Sequence, residues 1–429
     1  MDPTEKDWLA RYIDLRADVP IDFPIGSDWT HQKQIYKYLQ PTGLLYGHPI
    51  ALPYSIDIAT DPWPVKERLV VILMESLLAT YCIYNNIQTP DNDTLTKASE
   101  TINQFYLKLY PKHAKKGFFE GAPKSNQQQL ERIIAKRITV KSEWNAQFWR
   151  GFFQNILLFA DIIVFLNYLK SEQDLSADTL QQQSKEIQQN IISLLSVIVH
   201  LADNSDSQNI NFFHYFIEST DLSKIEKEEA SKAKVSPDME KLIRFLKDSD
   251  WLLKKYFLEL GVLSIWADHN AEDSEKLILE ELADKLNLDS LELEASSFAV
   301  ESFVMLNWQQ VHYLQSKQSY LVLSKRMAQR MTKISKKYGN QIKIEIDENK
   351  ELVKLLMLSQ ERPLSLDEKE KVRAQLIDIL KSIPAFVVLV MPMAFLTVPI
   401  LMKILPKNLF PSSFDPNRMI SKRGNRVYG

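Results

Sequence analysis

The feature that most constrains this chain is a run of twenty residues, 383–402, that contains no charged side chain. Thr397 carries the only polar side chain of the run. A helix rises about 1.5 Å per residue, so this length spans about 30 Å, the thickness of the hydrocarbon core of a bilayer. In a soluble protein the same run would need burial on every side. We therefore predict that it enters or lies against a membrane, with a buried soluble hairpin as the alternative.

Three prolines interrupt this run, at Pro384, Pro392 and Pro399. Each proline inside a helix removes a backbone hydrogen bond, so a straight helix is not expected. Membrane proteins tolerate such breaks where neighbouring groups satisfy the backbone. The sequence therefore predicts a proline-interrupted membrane segment.

The charges on either side of the run bear on its topology. Residues 403–429 hold six cationic side chains and one acid, Asp415, which favours a cytoplasmic tail. The first sixteen residues have no apolar signal region, so the N-terminal side is also expected in the cytoplasm. One full span cannot place both the tail and the N-terminal side in the cytoplasm. A re-entrant hairpin folded at Pro392, or a span assembled in a homo-oligomer, would allow both locations.

Upstream of the run, apolar residues recur with the helical period of 3.6, which predicts an all-α, multi-domain protein. The first long apolar helix is expected to begin after Pro64. Segment 152–169 is apolar but contains Asp161, which is unfavourable inside a membrane, so it is predicted to be a core helix. Glu75, Asp161 and His200 each lie in an apolar helix and are expected to be paired or hydrogen-bonded core residues. A di-metal bundle site is the alternative, but the sequence contains no Glu-x-x-His pair. Only residues 342–346 alternate as a strand would.

Composition divides the chain into five segments. They are an N-terminal all-α domain (1–235), an acidic helical domain (236–318), a basic helix and connector (319–381), the apolar membrane segment (382–414) and a basic tail (415–429).

Several classes of function are disfavoured by what the sequence lacks. It contains no Walker A, G-x-G-x-x-G, G-x-S-x-G or H-E-x-x-H pattern, so we expect no enzyme. The single cysteine, Cys82, excludes an internal disulfide and a zinc site with several cysteine ligands. The net charge of −3 gives no bias toward nucleic acid, and no DNA partner is expected.

The acidic segment is residues 268–294, which hold ten acids and two lysines. Clustered carboxylates could bind Ca²⁺, and the candidate ligands are Asp268, Glu272, Asp273 and Glu275. Helix capping and a solvated acidic face are the alternative. Asp268 follows an alanine and precedes Glu275 by seven residues, a layout that resembles the TerB-like domain of tellurite-resistance proteins.

The basic helix has an apolar stripe, spaced by three and four residues, that runs from Tyr320 to Tyr338. No acid occurs in residues 321–338. The cationic side chains between the stripe positions are Lys325, Arg326, Arg330, Lys333, Lys336 and Lys337. Such a helix could lie on an anionic membrane, dock on the acidic segment of the same chain, or face ribosomal RNA. An ordinary helix with a solvated lysine face is the fourth alternative.

The apolar segment carries a family likeness. Residues 378–386 read Asp-Ile-Leu-Lys-Ser-Ile-Pro-Ala-Phe, and a proline pair spaced by seven residues follows. Residues 403–414 continue with a lysine, a leucine, a proline and a Pro-Ser-Ser-Phe ending. This pattern resembles the LETM family, including bacterial LETM-related proteins that are associated with biofilms. The residues that we assign to the membrane segment are Pro384, Phe386, Pro392, Phe395, Pro399, Lys403 and Pro406.

The resemblance implies a membrane protein linked to cation/proton exchange and to ribosome association. Where the family has a glutamate this chain has Phe395, so the carboxylate that a cation carrier would use is missing. We therefore expect a non-catalytic scaffold or interaction protein on the cytoplasmic face of a bacterial inner membrane, with lipid and a protein or ribosome as partners. A cation-homeostasis component and a soluble metal- or ribosome-binding module are the alternatives.

Overall fold

A computed structural model describes most of the chain upstream of residue 382. The described ranges are 1–23, 29–53, 63–113, 123, 125–138, 155–201, 216–218, 220–232, 239–267, 273–307 and 317–381, with positions 401, 405 and 410. All regular structure in these ranges is helical, which confirms the all-α prediction. The chain forms two compact units, Met1–Asn287 and Leu288–Gly429. The division falls inside the predicted acidic domain.

The first unit contains eleven α-helices among its described residues. They are α1 (Trp8–Arg16), α2 (His31–Leu39), α3 (Val65–Tyr84), α4 (Asn92–Leu109), α5 (Asn126–Arg137), α6 (Leu158–Lys170), α7 (Ala177–Leu201), α8 (Lys224–Lys232), α9 (Met239–Lys247), α10 (Trp251–Ala267) and α11 (Asp273–Lys285). Two 3₁₀ turns, Gln40–Thr42 and Leu44–Tyr46, follow α2. Side-chain caps begin several helices: Asp91 accepts from the Thr94 amide at the start of α4.

Helix α3 forms the centre of this unit. It begins directly after Pro64, as predicted, and nearly all its side chains from Leu69 to Ile83 are buried. It packs against α2, α4 and α6. Helix α6 is equally buried. The core-helix prediction, made for residues 152–169, is therefore confirmed from Leu158 onward, and residues 152–154 lie outside the described residues. Among the described helices none is long and apolar enough to cross a membrane.

Buried carboxylates fasten these helices to one another. Glu75 of α3 accepts hydrogen bonds from the Tyr12 hydroxyl at 2.8 Å and the Tyr38 hydroxyl at 3.0 Å, and it pairs with Arg16 at 3.1 Å. Because Glu75 and Arg16 are each about 1% exposed, the pairing prevents an uncompensated charge in the core.

Asp161 of α6 repeats the arrangement. It pairs with Arg137 at 2.8 Å and accepts from the hydroxyls of Tyr106 and Tyr110. These contacts confirm the prediction that Glu75 and Asp161 are paired core residues. A third buried carboxylate, Glu259 of α10, accepts from Tyr36 and Tyr46.

The second unit contains five described helices. They are α12 (Ser290–Leu306), α13 (Lys317–Lys337), α14 (Gly339–Glu348), α15 (Lys350–Glu361) and α16 (Leu366–Lys381). Helices α12 and α13 pack as a pair, and α14, α15 and α16 contact one another. Asp289 caps α12 by accepting from the Glu292 amide, and Asn349 caps α15 in the same way.

The strand prediction for residues 342–346 is wrong, because this segment is part of α14. Ile342 and Ile346 are fully buried, whereas Ile344 between them is 57% exposed. Two buried residues four apart satisfy a helix as well as a strand, but a strand would place Ile344 on their face. The helical period therefore decides the structure here.

Candidate functional site

The predicted basic helix is α13, and its apolar stripe is part of the core of the second unit. Leu323, Met327, Met331 and Ile334 are each at most 1% exposed. Helix α13 packs against α12. Because the stripe is already buried in protein, any role of this helix at a membrane surface would depend on its charged side chains.

Two of the predicted cations bind α12 directly. The Arg330 guanidinium donates from Nε to Glu301 at 3.1 Å and from Nη1 to Glu294. The Lys333 ammonium donates to the other oxygen of Glu294 at 2.6 Å. Glu294 is the last acid of the acidic segment. One of the alternatives given above was that the basic helix docks on this segment, and these contacts with Glu294 are of that kind.

This cluster is unevenly exposed. The Glu301 side chain is 1% exposed, Arg330 is 23% exposed and Lys333 is 63% exposed. Burial raises the pKa of Glu301, although Arg330 opposes that rise. Burial also acts to raise the pKa of Glu294, but the hydrogen bonds and charges of Lys333 and Arg330 outweigh it, and this pKa is lowered.

The arrangement identifies Arg330 as the central member of the cluster. Burial alone would lower the pKa of its guanidinium, but Glu301 and Glu294 together raise that pKa. Glu294 and Glu301 are seven residues apart and therefore lie on one face of α12, where a single guanidinium reaches both. Sequence reasoning missed Glu301, although its spacing from Glu294 was the available signal.

The remaining predicted cations separate from this cluster. Lys325, Lys336 and Lys337 are exposed, and none of them forms an ion pair with a described residue. Arg326 is partly exposed and contributes to the electrostatic field at Glu301. The predicted basic face is thus divided: one part is bound within the protein and the other faces solvent.

None of the predicted metal-ligand side chains is among those that the structure describes. Asp268 and Glu272 lie outside the described residues, as do the side chains of Asp273 and Glu275 in the first turn of α11. Within the described part of the chain, no group of three acidic, histidine or cysteine side chains is placed to hold a metal ion. Ca²⁺ binding stays a prediction.

The predicted membrane segment follows α16 directly. The seven residues assigned to this segment lie outside the described residues: Pro384, Phe386, Pro392, Phe395, Pro399, Lys403 and Pro406. Of the described positions beyond α16, Leu401, Leu405 and Phe410 are buried. Val372, Leu376 and other apolar side chains of α16 are buried.

Comparison with known proteins matches part of the chain to a family model. Residues 364–425 match the family model described as LETM1-like, RBD. The match includes α16, the charge-free run and most of the basic tail, and it supports the LETM1-like resemblance of this part of the chain. Searches of curated proteins and of solved structures returned no match.

Proposed function

We propose that this chain is a membrane-associated, non-catalytic scaffold or interaction protein of the LETM-like kind, on the cytoplasmic face of a bacterial inner membrane. The observation that carries the proposal is the position of the charge-free run. Its twenty residues, 383–402, lie wholly inside the 364–425 match. The run is long enough for the hydrocarbon core, and the LETM1-like family is a family of membrane proteins.

The arrangement of charges supports a scaffold rather than an enzyme. In the first unit, Glu75 and Asp161 are bound to arginine and tyrosine side chains that tie helices together. In the second unit, Arg330 does the same between α12 and α13. These charges hold helices together. In this proposal the protein therefore acts through its exposed surfaces.

The proposal does not include cation exchange by the family's own route. An intramembrane carboxylate is what a carrier would use to bind a cation or proton. Phe395 stands at the position where the family carries that glutamate. A biofilm-related role, suggested by the resemblance to bacterial LETM-related proteins, would fit a scaffold that gathers partners at the membrane.

Alkaline-carbonate extraction of membranes tests the proposal. The full chain is compared with a chain that ends at Lys381, the last residue of α16. We expect the full chain to stay in the membrane pellet and the shortened chain to be released. Release of both would contradict membrane anchoring, and retention of both would show that the anchor lies upstream of the run.

Ribosome binding is the second candidate function. It is favoured by the ribosome association of LETM proteins, whose family model matches residues 364–425, and by the six cations of the tail. Binding to a polyanion through lysine and arginine weakens steeply as salt rises. Co-sedimentation of the detergent-solubilised chain with purified ribosomes at low and high salt tests it. Absence of the chain from the ribosome pellet at low salt would eliminate this candidate.

A further inference from the structure

The outward face of α13 is a surface that packing within the described chain leaves unused. Val322, Lys325, Gln329 and Lys336 fall within about 60° of one another around a helix of 3.6 residues per turn. All four are exposed, and Val322 is 46% exposed. Lys337 is exposed beside them at the end of the helix. We call these five residues the outer lysine face.

The lysines of the outer lysine face take no part in the ion pairs that Arg330 and Lys333 form on the same helix. Arg330 and Lys333 are bound to Glu294 and Glu301. No described carboxylate forms an ion pair with Lys325, Lys336 or Lys337, and residues 321–338 contain no acid. The three ammonium groups therefore present a positive charge to solvent that is not compensated within the described chain.

The chemistry of this face fits phospholipid headgroups better than nucleic acid. Its lysines are spread along one side of a helix, which suits a flat anionic surface. Val322 adds an exposed apolar group beside the lysines, and an apolar group is favoured at the headgroup boundary but contributes nothing to a phosphate contact. The charge-free run belongs to the same unit of the chain as α13.

We infer that the outer lysine face binds the anionic headgroups of the membrane that residues 383–402 enter. This inference rests on the proposed function, because the run supplies the membrane proximity. Each lysine near an anionic surface favours the bound state by about fivefold, and the preferences of the three lysines multiply. The buried stripe fixes the orientation of α13, and the lysines contact lipid without the helix leaving its unit.

A fluorescent label on the face tests the inference in the full chain. Gln329→Cys places a thiol between Lys325 and Lys336. The native Cys82 is fully buried, and burial raises the pKa of its thiol to about 12, so an environment-sensitive thiol dye should react with the new cysteine. The labelled chain is reconstituted into vesicles of phosphatidylcholine alone or of phosphatidylcholine with phosphatidylglycerol.

We expect a blue-shifted, brighter emission on the anionic vesicles, which high salt reverses because it screens exposed charges. The variant Lys325→Gln/Lys336→Gln/Lys337→Gln should lose the response, with about a fivefold loss of bound state for each lysine removed. A control makes the same change of charge at exposed lysines of the first unit: Lys66→Gln/Lys97→Gln/Lys112→Gln. The control should respond as the parent chain does.

Carbonate extraction of the same vesicles separates this inference from the proposed function. Retention of the chain with equal emission on both kinds of vesicle would overturn the lipid-binding face while leaving the anchor intact. A response to purified ribosomes and none to anionic vesicles would overturn it in favour of a nucleic-acid surface. Release of the chain by carbonate would contradict the anchor itself.

Discussion

The Arg330 guanidinium is the point at which the second unit can be perturbed most informatively. It bonds both Glu301 and Glu294, and the Glu301 side chain is 1% exposed. The change Arg330→Met keeps an apolar side chain of similar length against α12. It removes the charge that compensates Glu301. The result is a buried carboxylate without its ion pair.

The expected cost follows from that burial. Removing one partner of a buried ion pair destabilises a protein by about 3–5 kcal/mol. Since about 1.4 kcal/mol is a factor of ten in an equilibrium constant, opening of the α12–α13 pair should become more frequent by about two to three and a half orders of magnitude. Lys333→Met is the matched control. The Lys333 side chain is 63% exposed, and loss of such a surface pair costs about 0–1 kcal/mol.

Native-state hydrogen exchange, read by mass spectrometry on peptides that cover α12 and α13, measures this opening directly. Arg330→Met should lose protection strongly, and Lys333→Met should remain close to the parent chain. Adding Glu301→Gln to Arg330→Met should restore much of the protection, because the uncompensated charge is gone. Equal protection in Arg330→Met and Lys333→Met, or no restoration in the double variant, would refute the reasoning.

Three further predictions concern single positions. Gly43 has φ of 81°, and an added Cβ would lie 2.0 Å from a backbone oxygen. Gly43→Ala should therefore destabilise the first unit by about 1–3 kcal/mol or more. A lower thermal midpoint, measured by circular dichroism, would show this. Glu75→Gln leaves Arg16 buried without its carboxylate and should cost about 3–5 kcal/mol in the same assay, against at most about 1 kcal/mol for Glu5→Gln in an exposed pair. Because the pKa of Glu294 is lowered in the folded protein, the ionised carboxylate stabilises the fold fully above the ordinary glutamate pKa, and this stabilisation is lost as the pH falls through the lowered value. Exchange protection of α12 should therefore decline less in acid for Glu294→Gln than for the parent chain. An equal decline in both would contradict this assignment.

The helical architecture could be predicted because local patterns carry it. The start of α3 after Pro64, the stripe on α13 and the burial of Asp161 in α6 all follow from spacing and from the cost of burying charge. The strand assigned to residues 342–346 was wrong for a local reason as well. Five alternating residues are too few to separate a two-residue period from a helical one when the buried pair is four apart.

The partners of buried charges could not be predicted, because they are remote in sequence. Tyr46 is 213 residues from Glu259, and Arg330 is 29 residues from Glu301. Periodicity indicates that such a residue is buried but does not indicate what compensates it. The division of the basic helix into a bound part and an outer lysine face has the same origin. It depends on the position of α12 beside α13, which composition does not encode.

The central claim is that residues 383–402 anchor the chain in a membrane, and paired leucine substitutions test it most directly. Arginine near the middle of a membrane segment costs about 2.5–3.5 kcal/mol per residue, whereas arginine at an exposed site costs little. Leu389→Arg/Leu396→Arg is therefore compared with Leu366→Arg, whose site at the start of α16 is 80% exposed. We predict that carbonate releases the first variant and leaves both the second variant and the parent chain in the pellet. Release of the parent chain, or retention of all three, would contradict the account.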